Sequence, residues 1–122
     1  MRRFGNIFAL VALALGACAG PGDAPRVAAC GEDIAALKHA ARSGDAVSQY
    51  RLANRYYVSW LNPGMCAGGG ADDAIEAYRW YTLAGVQGIE AATRRRDALA
   101  ENMTRSQVEA AEDKAASWLG GG

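Results

Sequence analysis

No proline follows Pro63 in this chain of 122 residues, and from position 18 onward only 11 of 105 residues are Val, Ile or Thr. A stretch without proline can run as helix without losing a backbone donor, whereas so few β-branched side chains cannot furnish a sandwich or barrel. Alanine, the strongest helix former, occurs 27 times. The expected fold is therefore all-α, in one small domain. Thirteen basic side chains balance thirteen acidic ones, so no basic excess exists to drive phosphate binding. No apolar run reaches the 18 or so residues that a membrane span requires. Nucleic-acid binding and a polytopic membrane role are both expected to be absent.

The periodicity predicts five short helices. Residues 32–43 place Ile34, Leu37 and Ala41 at helical spacing and stop at Gly44. Asp45 then caps a helix whose expected buried seam is Val47, Tyr50, Ala53, Tyr57 and Trp60. Residues 61–71, with Asn62, Pro63 and four glycines, read as an irregular loop. A third helix opens at Asp73 with a capping box to Glu76, runs through Ile75, Tyr78, Tyr81 and Ala84, and ends at Gly88. The fourth covers about 89–102, and the short turn before it requires antiparallel packing on the third. Thr104 and Gln107 form a Thr-x-x-Gln capping box for the fifth, flanked by Met103 and Val108 at the staple positions, with Ala111, Ala115 and Trp118 as its seam. Small residues (Ala53, Ala77, Ala84, Gly85, Ala92) stand where helices must approach closely.

The N-terminus reads as an export signal: Arg2 and Arg3 form a charged region, and residues 7–15 an apolar core too short to span. Leu15-Gly16-Ala17-Cys18 follows, and it resembles the lipobox of bacterial lipoproteins. That resemblance implies a signal peptide over 1–17, lipidation of Cys18, and anchoring through acyl chains. Ala19 in place of an inner-membrane aspartate implies the periplasmic face of the outer membrane. Residues 18–29 form a tether rich in proline and glycine, and the domain occupies 30–122.

With Cys18 committed to lipid, Cys30 and Cys66 remain as an even pair in an oxidising compartment, where a disulfide is the expected outcome. It would close a loop of about 35 residues and contribute on the order of 4 kcal/mol on the loop-entropy account. Two buried free thiols or metal ligation are the alternatives. Metal is disfavoured because a closed zinc site needs four ligands, and beside these two thiols there is a single histidine, His39.

Helix pairs of this kind call for a search for repeats. Gly44-Asp-Ala-Val-Ser-Gln-Tyr-Arg-Leu-Ala-Asn-Arg-Tyr56 resembles the first helix of a Sel-one-like repeat of the tetratricopeptide-like superfamily. Ala74-Ile-Glu-Ala-Tyr-Arg-Trp-Tyr-Thr-Leu-Ala-Gly-Val-Gln-Gly88 is similar to its second helix, and residues 90–118 to a terminal half-repeat. The resemblance departs at Ala53, where glycine is usual, and in the long loop over 61–71. It implies a short right-handed stack of antiparallel helix hairpins with Trp80 and Trp118 buried in the interfaces. The concave face would be lined by first helices, which makes Arg51, Asn54 and Arg55 the partner-contact candidates, with Arg95 added from the fourth helix.

The sequence presents no recognisable catalytic constellation. His39 stands beside Lys38 with no Gly-x-Ser-x-Gly elbow, Asp72-Asp73 and Glu112-Asp113 read as helix-stabilising or solvated, and glycines 68–70 lack the lysine of a phosphate loop. Arg94-Arg95-Arg96 reads as a solvated face supported by Glu90, except that Arg96 falls on the buried seam and is expected to reach an acid on a neighbouring helix. The expected function is a non-enzymatic scaffold without cofactor or metal. It would bind an envelope or periplasmic protein or peptide, and touch the membrane through its lipid alone. The alternative is a cell-envelope hydrolase or peptidoglycan-binding lipoprotein.

Overall fold

The computed structural model describes residues 34–63, 70 and 72–121. Every regular element among them is helix: α1 (Ile34–Arg42), α2 (Ala46–Leu61), α3 (Asp72–Val86), α4 (Glu90–Ala100) and α5 (Arg105–Leu119). The protein is all-α and built of packed helix hairpins. Helix α1 packs on α2, and α3 is the hub on which α2, α4 and α5 all pack.

Local chemistry sets the helix ends. Gly44 and Gly88 adopt φ of 97° and 104°, a left-handed conformation that glycine enters without a Cβ clash, and each closes a helix and reverses the chain. The Asp45 carboxylate accepts the Ser48 N–H at 2.8 Å as the cap of α2. The Ser48 hydroxyl and amide hold that carboxyl below its ordinary pKa, with a smaller contribution from Arg51. At α5 both arms of the expected capping box are present, Gln107 N–H to Thr104 Oγ1 at 3.1 Å and Thr104 N–H to Gln107 Oε1 at 2.9 Å. Such a cap contributes about 1 kcal/mol.

Helix α3 starts at Asp72, one residue earlier than expected, and the Asp73 N–H donates to the Gly70 carbonyl at 3.0 Å. The Glu76 carboxylate pairs with Arg79 at 2.7 Å and with Lys114 of α5 at 2.8 Å, both charge-assisted bonds. Helix α4 stops at Ala100, since Asn102 and Met103 bond back three residues in a tightened last turn.

The core is assembled around α3. Ala74, Ala77, Tyr78, Trp80, Tyr81, Leu83 and Ala84 are all buried, which leaves this helix with almost no solvated face. Against it lie Leu52 and Ala53 of α2, Ala92 and Leu99 of α4, and Ala111 and Ala115 of α5. Gly85 permits the closest approach: a methyl group there would come within 2.5 Å of Thr93 Oγ1 on α4. Trp80, 1% exposed, meets the Trp118 ring edge-on at 5.5 Å, but Trp118 itself is only half-buried because it stands in the last turn of the last described helix.

The expected seam of α2 is displaced. Val47 is 57% exposed, and the helix buries Gln49, Leu52 and Ala53 while Tyr50, Tyr57 and Trp60 are half-buried. The reason is that α2 is covered on two sides, by α1 and by α3, so aromatic rings mark a rim whose bodies pack and whose polar tips reach water. Arg96 also differs from expectation. Its stem lies on the core, with the guanidinium 5.9 Å from the Tyr78 ring centroid, but its acid is Asp97 on the same helix at 2.8 Å. The acid on α5 that lay within reach, Glu112, accepts from the Tyr78 hydroxyl at 3.1 Å.

Candidate functional site

Buried Tyr81 is the residue around which a polar surface is organised. Its position on α3 places the ring under α2, and a buried phenol needs a partner for its hydroxyl. The Tyr81 hydroxyl donates to Asn54 Oδ1 at 2.7 Å, and its ring lies 6.0 Å from that of Tyr50, tilted by 52°. Arg95 reaches over from α4, its guanidinium carbon 5.9 Å from the Tyr50 ring centroid. Three helices thus converge on Tyr50, Asn54, Tyr81 and Arg95.

The electrostatics of this cluster are unusual in one respect. Partial burial works against the charge of Arg95, yet the Tyr81 hydroxyl and Tyr50 outweigh it and raise its pKa. Among the described residues no carboxylate pairs with the Arg95 guanidinium. Burial in turn pushes the Tyr81 phenol up to about 12, against the opposing pull of Arg95. The cluster carries a net positive charge throughout the neutral range.

That raised phenol has a measurable consequence. Below about pH 10 the phenol is neutral in both folded and unfolded chains, so its stabilising term is complete; as pH rises towards 12 the unfolded phenol ionises first and the term is lost. Wild type should lose about 1–2 kcal/mol more than Tyr81→Phe between pH 9.5 and 12, after discounting a full shift for the nearby guanidinium. Urea midpoints at the two pH values check this, and parallel losses in both proteins would refute it.

Of the contact candidates, Asn54 and Arg95 are brought together. Arg51 lies within electrostatic reach of Asp45 at the start of α2, and Arg51 and Arg55 each have a partner within the chain. Tyr50 and Tyr81 are the members that sequence reasoning missed. The available signal was a tyrosine on a buried seam facing an asparagine on another helix, which requires knowing which helices meet.

The remaining candidates are dispersed. His39 is exposed on α1, Asp72 and Asp113 are exposed, and Asp73 is buried at the start of α3 with a partner within the chain. Cys18, Cys30 and Cys66 lie outside the described residues, as does the loop at 64–69. Among the described residues no pocket is present, no group of three His, Cys, Asp or Glu side chains could hold a metal, and no helix is long and apolar enough to cross a membrane. No family model matches the chain, and no curated protein or solved structure matches it.

Proposed function

We propose that the protein is a helical-repeat scaffold of the Sel-one-like kind, tethered through lipidated Cys18 to the periplasmic face of the bacterial outer membrane, where it docks a protein or peptide partner. The observation that carries this reading is the convergence of Tyr50, Asn54, Tyr81 and Arg95 from three helices at one surface, with the Arg95 guanidinium 5.9 Å from the Tyr50 ring centroid. Charged and aromatic groups fixed in place by a rigid core are what a protein interface uses as anchors. The helix hairpins around α3 and the motif residues over 44–118 support the repeat assignment, and Leu15-Gly-Ala-Cys18 supports the anchor.

Two experiments test it. Cys18→Ala should release the mature protein from the membrane fraction or leave it unprocessed, and a variant that still sediments with the outer membrane after a carbonate wash removes the anchor. A photo-crosslinking side chain at exposed Ala98, one turn from Arg95 on α4, should yield a discrete adduct in cells, whereas the same group at Asp113 of α5 should not. Adducts from Asp113 alone would place the interface on the wrong side and remove the scaffold reading of this face.

A further inference from the structure

We propose that Arg95 is a carboxylate seat, and that the segment docked across α2 and α4 is an acidic peptide whose Glu or Asp side chain takes the fork of that guanidinium. The inference rests on the scaffold reading and specifies its ligand.

Charge complementarity decides the class. Among the described residues Arg79, Arg94, Arg96 and Arg105 each face an acid of this chain. Arg95 does not: it is exposed, and its guanidinium carbon lies 5.9 Å from the ring centroid of Tyr50, a neutral neighbour that leaves its charge uncancelled. A planar guanidinium fork matches the two oxygens of a carboxylate. One guanidinium suits one negative charge; a phosphate group, with up to two, is better served by several cations.

The surroundings argue for a peptide rather than a free acid. Tyr50 and Tyr57 stand one above the other on α2, seven residues apart and half-buried, and Tyr57 packs against Trp60 at 6.2 Å. This strip offers apolar area next to the seat and no enclosing walls, a shape that holds an extended segment carrying an apolar residue near its acid.

The probe is a fluorescein-labelled peptide of alternating glutamate and leucine, with its glutamine counterpart, titrated by anisotropy against the mature chain. Wild type should bind the acidic peptide with Kd in the range of about 10–100 μM, at least about tenfold tighter than the glutamine form, and more weakly as salt rises from about 50 to 300 mM. Arg95→Gln should lose about tenfold, Arg95→Lys should recover only part of that because it restores charge without the fork, and Arg105→Gln on α5 should stay within about twofold. Equal binding of the two peptides, an undiminished Arg95→Gln, or no binding by wild type overturns the proposal. So does displacement by inorganic phosphate at constant ionic strength where acetate fails, which would make the seat a phosphate site. The in-cell adduct at Ala98 separates the two levels: if it persists in Arg95→Gln while the peptide does not discriminate, the carboxylate seat is wrong and the docking face stands; if it never forms, the scaffold reading itself fails.

Discussion

Truncating Trp80 to alanine should cost about 3–5 kcal/mol and leave most molecules unfolded at 37 °C. The indole is the largest fully buried side chain, 1% exposed, and fills the space between α3 and α5 where the Trp118 edge and the Arg79 guanidinium, 4.5 Å from the ring centroid, close over it. A domain of this size holds about 5–10 kcal/mol in total, so the loss approaches the whole. Two companion variants identify the cause. The Trp80 N–H has no acceptor among the described residues, so Trp80→Phe forfeits no hydrogen bond and should cost only about 1–2 kcal/mol for the volume lost. Half-buried Trp118 should cost about 2 kcal/mol on truncation, less than a residue sealed in the core. Urea denaturation followed by far-ultraviolet circular dichroism reads all three. A tolerant Trp80→Ala would mean that α5 does not pack on α3 in solution.

The helix boundaries were legible because their causes are local. Gly44, Gly88 and the Thr104–Gln107 box each act within four residues, and all three stand where the sequence places them. The misreadings share a different origin, competition from a partner distant in sequence. Glu76 pairs with Lys114, 38 positions away, and the α2 seam rotates because a second helix covers it. Arg96 misleads in the opposite direction, finding its acid in the adjacent residue. The cluster was legible in half its members. Asn54 and Arg95 are polar groups on amphipathic helices and attract notice, but the partner of Asn54 is the hydroxyl of a tyrosine 27 positions away, and no local pattern announces that bond.

Gln49→Ala should cost about 2–3 kcal/mol, the second largest effect among the polar and aromatic positions considered. Its amide is 1% exposed, and it works in both directions: Nε2 donates to the Ala41 carbonyl at 3.1 Å while Oε1 accepts from Gln87 Nε2 at 2.8 Å. Gln87 also donates to the Gly44 carbonyl at 3.0 Å. These bonds tie the turn after α1 to the turn after α3, two reversals that the helix packing alone brings near but does not lock. Alanine removes the amide and leaves a void beside Leu52-bearing α2, so a transfer term and a hydrogen-bond term add. Leucine at 49 restores volume without a donor and should recover about 1 kcal/mol of the loss. Gln87 is exposed, so Gln87→Ala alone should cost below about 1 kcal/mol, since water can replace what it gives up. The double variant should then be less damaged than the sum of the singles by about 0.5–1 kcal/mol, the coupling expected of two side chains sharing one bond. Amide exchange offers an independent check: the Gly44 and Asp45 amides, which close the α1 turn on Ala41 and Ala40, should lose protection in Gln49→Ala and keep most of it in Gln87→Ala. Strict additivity with unchanged exchange at Gly44 would mean that the two turns are held by helix packing and that the amide pair merely accompanies it.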